Sequence, residues 1–395
     1  MIESAFKSST DEVVWQHQQL GTGHALKCFL DQTTVPADNL LVLCADTPLL
    51  DGKLLKRFYA DFFDRKLNAS CISFNTGDPT GYGRVVKLSK GLKIVEEKDA
   101  DPLQKKISMV NSGIYLFKKD FLTSHIDKLE TNNSQNEFYL TDLFRDEEGI
   151  SSFNFEEGEK ALMGVNDLIQ QAEAAKLLRQ KKIETLQLAG VIFESPDSCS
   201  VHDTVEVGAG TVIGPNVELR EKTIIGENCK VDSGCILTNT EVKSGGNILP
   251  YSVLEGAIVK NGASVGPFAR LRAGAQINEN AKIGNFVEIK KSVISSGAKV
   301  SHLSYVGDAE IGERSNIGCG FISCNYDGKN KYKTIVGEDC FIGSDTQMVA
   351  PVEVGDNCFV ASGTTVTKDM PSGSFGISRA SFEVKENMAK RFIKK

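Results

Sequence analysis

The feature that most restricts what this chain can fold into is a six-residue period in its second half. Val336, Ile342, Met348, Val354, Val360 and Val366 stand six apart. So do Val265, Leu271, Ile277, Ile283 and Ile289, and Val207, Ile213, Leu219, Ile225, Val231 and Leu237. Several units read aliphatic-Gly-x-x-x-x, as in "IGENCK", "IGERSN", "VGEDCF" and "VGDNCF". Such a unit fits a short strand and a tight turn, with one aliphatic side chain pointing inward and Gly allowing positive φ. Three units close one triangular coil of a parallel β-helix. The phase fails between Ile317 and Val336, over "CNYDGKNKYKT" (324–334). A polar and aromatic excursion from a regular solenoid is where function concentrates.

The first 160 or so residues read differently. "NLLVLCADTPLL" (39–50) predicts a buried strand ending in a loop, "LLKRFYADFFDRK" (54–66) a helix, and "LNASCISFNTG" (67–77) a strand. "DPTGYGRVVKL" predicts a turn and hairpin, and "VNSGIYLF" (110–117) a further strand. This is α/β order, in which ligands sit at the C-terminal ends of strands. Residues 165–186 predict a long bridging helix with Leu168, Ala172, Ala175 and Leu178 as its apolar stripe.

A net charge of −7 argues against a nucleic-acid or membrane surface, so an anionic ligand needs a few placed cations. Ten cysteines without a CxxC suggest free thiols in a reducing cytosol. No run of about 18 apolar residues predicts a transmembrane helix. "MIESAFKSSTDEVVWQ" lacks the basic flank and apolar core of a signal peptide, so a cytoplasmic location is expected. The closing "VKENMAKRFIKK" reads as a basic amphipathic docking or solvated tail.

"QLGTGHA", "DPTGYGR", "GPFARLR", "GNFVEIKK", "SHLSYVGDAEIG", "CNYDGKNKYKT" and "FIGSDTQMVAPV" occur in this order. Together they closely resemble the bifunctional N-acetylglucosamine-1-phosphate uridyltransferase / glucosamine-1-phosphate N-acetyltransferase family, from about Trp15 to Arg379. The resemblance implies an α/β, Rossmann-like nucleotidyltransferase domain (1–163), a linker helix (164–190), a left-handed parallel β-helix acetyltransferase domain (191–376) and a tail (377–395). It also implies a homotrimer with acetyl-transfer sites between subunits.

Acetyl transfer needs a neutral amine and a base, and His is suited because its unperturbed pKa of about 6.5 lies near working pH. A lone His on a coil is ordinarily a solvated surface residue. The motif around His302 matches the family's catalytic base, and Glu288 matches the acidic neighbour that orients the imidazole. Arg272, Lys290, Tyr305 and Asn316 match contacts to glucosamine-1-phosphate. Independently of any family, Arg272 and Lys290 are separated by three repeat units, one coil, which stacks them on one face. Acetyl-CoA contacts carried over by the resemblance are Cys319, Asn325, Tyr326, Ser344, Ser362 and Arg379. Cys319 and Ser362 stand where the family commonly has Ala. An acetyl-cysteine intermediate on Cys319 is disfavoured, because a small buried Cys behaves mainly as a hydrophobe.

In the first domain the resemblance implies transfer of UMP from UTP to N-acetylglucosamine-1-phosphate with Mg2+. Asp46 and Asn166 match the metal ligands, and hard oxygens suit magnesium. Gln16, Gly21 and Thr22 match uridine contacts; Cys44, Ala45, Asp46, Gly83, Glu96, Asn111 and Asn166 match further UDP-N-acetylglucosamine contacts. The family's Gly-rich "LAAGxGTRM" loop, which wraps the triphosphate, does not precede Gln16. The expectation is therefore that uridyl transfer by this chain is impaired, through a truncated gene model or a natural single-function form. The competing readings are a hexose-1-phosphate nucleotidyltransferase with a non-catalytic β-helix, and a β-helix that only trimerises the head. A passive helix needs neither "SHLSYVGDAEIG" nor "CNYDGKNKYKT".

Overall fold

The computed structural model describes residues 13–34, 37–156 and 158–392, so most of the segment read against a signal peptide and the last three residues of the basic tail lie outside the described residues. Two compact units divide between Leu177 and Leu178.

The first unit runs α1 (Thr22–Gln32), β1 (Asn39–Val42), α2 (Gly52–Asp64), β2 (Ala69–Asn75), β3 (Arg84–Lys87), β4 (Leu92–Val95), β5 (Met109–Lys118), α3 (Lys119–His125), β6 (Ile150–Asn154) and α4 (Gly158–Ala161). The sheet order is β4-β3-β5-β2-β6, with β1 also on β5. The sheet is mixed: β1, β2 and β3 lie antiparallel to β5, whereas β2 and β6 are parallel. Alternation along β2 feeds two cores. Ile72 and Phe74 meet Leu54, Phe58 and Phe62 of α2, while Cys71 faces Phe117, Leu122 and Phe144 on the other side. The four-residue spacing of Leu54, Phe58 and Phe62 makes one helical stripe, and the Asp51 carboxylate starts α2 by accepting from the Leu54 N–H at 2.9 Å. Burial pushes the Cys71 thiol up to about 12. The expected buried strand at 39–50 is only half covered: Leu40 is buried, but Leu41 and Leu43 are each 45% exposed.

The helix α5 (Leu168–Leu188) also differs from expectation. Leu168 and Leu178 are exposed, and the buried positions are Ala174, Ile183 and Leu186. Ile183 and Leu186 belong to the core of the second unit, so the helix buries only the turns that meet apolar surface.

The second unit is a parallel β-solenoid of about ten turns, built from three sheets of 11, 10 and 9 strands. Val212 pairs with Lys230 and Lys282 with Lys299, so one turn spans three repeat units or one position fewer. Every member of the six-residue series is 5% exposed or less, except the partly buried Val207. Across "CNYDGKNKYKT" the turn lengthens by more than a whole repeat unit, and Ala309 pairs with Thr334. The corners use left-handed backbone, mostly Gly and Asn. One corner instead has Tyr251, Phe268, Phe286 and Leu303 at φ 59, 54, 56 and 42. There the Tyr251, Phe268 and Phe286 rings stack with centroids 5.4 Å apart.

Because Leu237 is fully buried with neighbours fixed on adjacent turns, Leu237→Ala should lower stability by about 2–5 kcal/mol. Denaturant unfolding of the purified chain checks this.

Candidate active sites

The first unit contains a cavity of about 650 Å3 lined by Thr22, Cys44, Asp46, Gly83, Glu96, Asn111 and Asn166 among others. Seven of the ten sequence-derived nucleotide-sugar residues thus meet in one place. Gln16, Gly21 and Ala45 are outside the lining. The Gln16 amide donates to the Gly21 carbonyl at 3.1 Å and lies 2.9 Å from His24 Nδ1. Gly21 precedes α1 at φ 104, and a side chain there would meet the Phe138 carbonyl at 2.6 Å. This glycine is needed both for its backbone angle and for its close approach. The Thr22 hydroxyl accepts the Leu140 N–H at 3.1 Å, which pins the start of α1 to the 138–140 segment.

Asp46 and Asn166 converge because the Val165 N–H donates to the Asp46 carbonyl at 2.8 Å. A Cβ built on Gly164 would lie 3.6 Å from Asp46 Oδ2 and 3.9 Å from Asn166 Nδ2, so both side-chain ends face one small gap. One carboxylate and one amide suit a magnesium ion that takes its remaining ligands from phosphate and water. Among the described residues no group of three or more His, Cys, Asp or Glu could hold a metal alone. Glu96 is a partly buried residue of the cavity lining. Burial raises its pKa, the Thr141 hydroxyl donating at 2.8 Å opposes this, and Asp142 and Asp99 add to the rise. The Asn111 amide donates to the Tyr115 hydroxyl at 2.7 Å and forms part of the cavity floor.

In the second unit, register assembles the other site. Arg270, Glu288 and Tyr305 face one another on successive turns. The Arg272 N–H donates to the Ile289 carbonyl at 2.9 Å, which places Arg272 beside Lys290 as their one-coil spacing predicts. Lys290 pairs with Gly307, where a side chain would strike the Tyr305 ring. Asn316 pairs with Lys299, on the strand that ends in the exposed His302.

Two contacts differ from expectation. Glu288 does not hold the imidazole; its Oε1 sits 3.0 Å from Arg272 Nη1. His302 Nδ1 instead lies 2.8 Å from Asn285 Oδ1. The register explains it, since Asn285 and His302 are direct partners on neighbouring strands, whereas Glu288 pairs with Tyr305.

The excursion is a small hairpin with Tyr326 bridging Lys331. Asp327 accepts the N–H groups of Lys329 and Asn330, both at 2.7 Å, and the Tyr332 hydroxyl at 3.0 Å. Buried Asn325 anchors its base through Asp308 at 2.5 Å. The hairpin delivers Lys331 to Lys290. The neighbouring Lys331 ammonium, and then Arg272, hold the Lys290 amine below its usual range. Three cations thus crowd one place. Sequence reasoning misses Lys331 because "KNKYK" offers three lysines, and only the folded hairpin decides which lies beside Lys290; Lys333 turns to Glu310.

Cys319, Ser344, Ser362 and Arg379 run along one corner. The Asp345 N–H donates to the Cys319 carbonyl at 2.7 Å and the Gly363 N–H to the Ser344 carbonyl at 2.8 Å. The Arg379 stem would lie 3.7 Å from a Cβ on Gly363. Tyr326 is exposed. All ten cysteines are free thiols. No helix among the described residues is long and apolar enough to cross a membrane.

A nucleotidyl transferase family model matches residues 3–156, and a model for the hexapeptide repeat of succinyl-transferase matches 204–239 and 333–368. The bifunctional protein GlmU of Trichlorobacter lovleyi is 44% identical over 93% of this chain and 81% of its own length. That of Clostridioides difficile is 40% identical over 96% and 83%. Among solved structures, the UDP-N-acetylglucosamine acyltransferase of Francisella novicida covers 46% of this chain and 64% of its own at 15% identity and a TM-score of 0.32. Identity of this level over nearly the whole chain, with both domain types in order, places the chain in the bifunctional GlmU family, the uridyltransferase/acetyltransferase enzymes of UDP-N-acetylglucosamine synthesis.

Proposed function

We propose that the solenoid transfers acetyl from acetyl-CoA to the amine of glucosamine-1-phosphate, with His302 as general base. The observation that carries this reading is the pairing of an oriented imidazole with the cluster Arg272, Lys290 and Lys331. The like charges repel one another until an anion arrives, and a phosphate monoester is an anion of matching charge. Arg272 offers a planar fork and the two lysines point charges. Glu288 holds the Arg272 guanidinium in place, and Tyr305 and Asn316 border the sugar. With the phosphate held, His302 Nε2 accepts the proton as the amine nitrogen attacks the thioester carbonyl. The carbon–sulfur bond breaks and the leaving thiolate takes up a proton. Cys319, Asn325, Tyr326, Ser344, Ser362 and Arg379 form the coenzyme side of a site completed between subunits of a homotrimer in the cytoplasm.

The cavity of the first unit is proposed to be the nucleotide-sugar side of the site at which the family joins UTP and N-acetylglucosamine-1-phosphate. Asp46 and Asn166 would hold magnesium, which supplies charge neutralisation of the phosphates. Gln16, Gly21 and Thr22 would border the uracil, with Cys44, Ala45, Gly83, Glu96 and Asn111 around the nucleotide sugar. The size of the cavity and the polar groups that line it suit a nucleotide sugar better than a small metabolite.

His302→Ala should lower kcat for acetyl transfer about 10²–10⁴-fold while coenzyme binding stays near normal. Near-normal turnover, read as acetyl-CoA consumption with glucosamine-1-phosphate, would sink the assignment. Lys331→Ala should raise KM for glucosamine-1-phosphate about tenfold or more, with a smaller effect on acetyl-CoA. Steady-state kinetics with each substrate varied tests the split.

Glu96 gives a pH prediction. Its pKa is raised in the folded protein, so its ionised form is disfavoured there. Its contribution costs stability above the folded pKa, and the cost vanishes as pH falls below the unfolded value. Glu96→Gln should therefore stabilise the chain at neutral pH, with the gain shrinking in acid, and should weaken UDP-N-acetylglucosamine binding. Melting temperatures across pH, with and without the nucleotide sugar, measure both.

A further inference from the structure

We infer that Asn285 is the positioning residue that decides which ring nitrogen of His302 is free to take the proton; the inference rests on the acetyl-transfer reading above. A neutral imidazole carries its proton on one nitrogen and a lone pair on the other. The Asn285 amide oxygen, 2.8 Å from Nδ1, can only accept, so it holds the proton on Nδ1 and leaves Nε2 unprotonated toward the exposed side. The same amide turned over would donate to Nδ1, place the ring proton on Nε2 and remove the base.

The local backbone fixes Asn285 tightly. Asn285 and His302 are paired Cα to Cα on adjacent turns, and the Asn285 carbonyl also accepts the Leu303 N–H at 3.0 Å. Gly284, just before it, runs so close to Ser301 that any side chain there would strike the Ser301 carbonyl. The residues that follow the pair, Phe286 and Leu303, both take left-handed backbone at φ 56 and 42, which bulky residues adopt only where their surroundings impose it. Stacking of the Phe286 ring on Phe268 holds that corner. Two successive corners of the same kind thus present the amide and the imidazole to each other.

The charged and titratable groups around the ring are Lys299 on its own strand, Lys282 on the preceding turn, the free thiol of Cys319 at the facing position of the following turn, and Glu288 and Tyr305 beyond the corner. Glu288 is engaged by Arg272. Among the described residues no ion pair reaches the imidazole. A neutral partner suits a base that must start unprotonated, since a carboxylate in its place would favour the imidazolium.

The test combines NMR of the 15N-histidine-labelled full chain with kinetics. The wild-type His302 ring should show a protonated, pyrrole-type Nδ1 and an unprotonated, pyridine-type Nε2. Asn285→Leu should mix the two tautomers and lower kcat about 10- to 100-fold, within what the proton transfer is worth, with both KM values within about twofold. Asn285→Asp should restore the Nδ1–H tautomer, recover kcat relative to the Leu variant, and move the His302 titration midpoint upward. A wild-type ring protonated on Nε2 overturns the inference, and that spectrum needs no variant to fold. Wild-type kcat and tautomer in Asn285→Leu, or an effect confined to KM, overturns it too. His302→Ala separates the two levels. If that variant keeps its turnover, the acetyl-transfer reading itself falls; if it is inactive while Asn285→Leu is unaffected, only the role of Asn285 falls.

Discussion

The second unit depends on one constraint, the hydrogen-bonded register between successive solenoid turns. Each turn lays its strands on those of the turn before, so positions a whole coil apart in sequence become neighbours at a strand spacing of about 4.8 Å. That register sets Arg272 beside Lys290, Glu288 beside Tyr305 and Asn285 beside His302. The buried aliphatic ladder keeps it from slipping. A one-residue shift would turn Ile283 and Val300 outward, and both are fully buried.

On this rigid frame the electrostatics is arranged around an anion. Arg272 and Lys331 lie near Lys290, and these like charges hold its amine below the usual range. The Glu288 carboxylate steadies one of them without cancelling the cluster. His302 sits apart from this network, with a neutral amide as its partner. Charge for binding and neutrality for proton transfer are thus separated by one corner of the solenoid. In the first unit the logic is inverted. Glu96, Asp142 and Asp99 crowd their negative charges, and burial makes Glu96 reluctant to ionise.

Much of the fold was legible in the sequence because its signals are periodic. The six-residue series marked the inward positions, and the failure of its phase marked the excursion that lengthens the turn between Ala309 and Thr334. Helix α5 was less legible. Its Leu168 and Leu178 fit a helical stripe yet are exposed, because the surface that would cover them is not a local property of the sequence. The half-exposed β1 has the same cause: an apolar run shows that a strand can be buried, and only its neighbours decide whether it is.

By itself the sequence determined the α/β order of the first unit, the solenoid of the second, and the one-turn stacking of Arg272 on Lys290, since each follows from the spacing of residue types along the chain. Only the tertiary structure decided that Lys331 is the loop lysine beside Lys290, that Glu288 engages Arg272, and that Asn285 faces the His302 imidazole. These are choices of side-chain direction. They depend on the path of the hairpin, corner geometry and which carboxylate lies nearest which cation, and the chain settles them only once the turns are stacked.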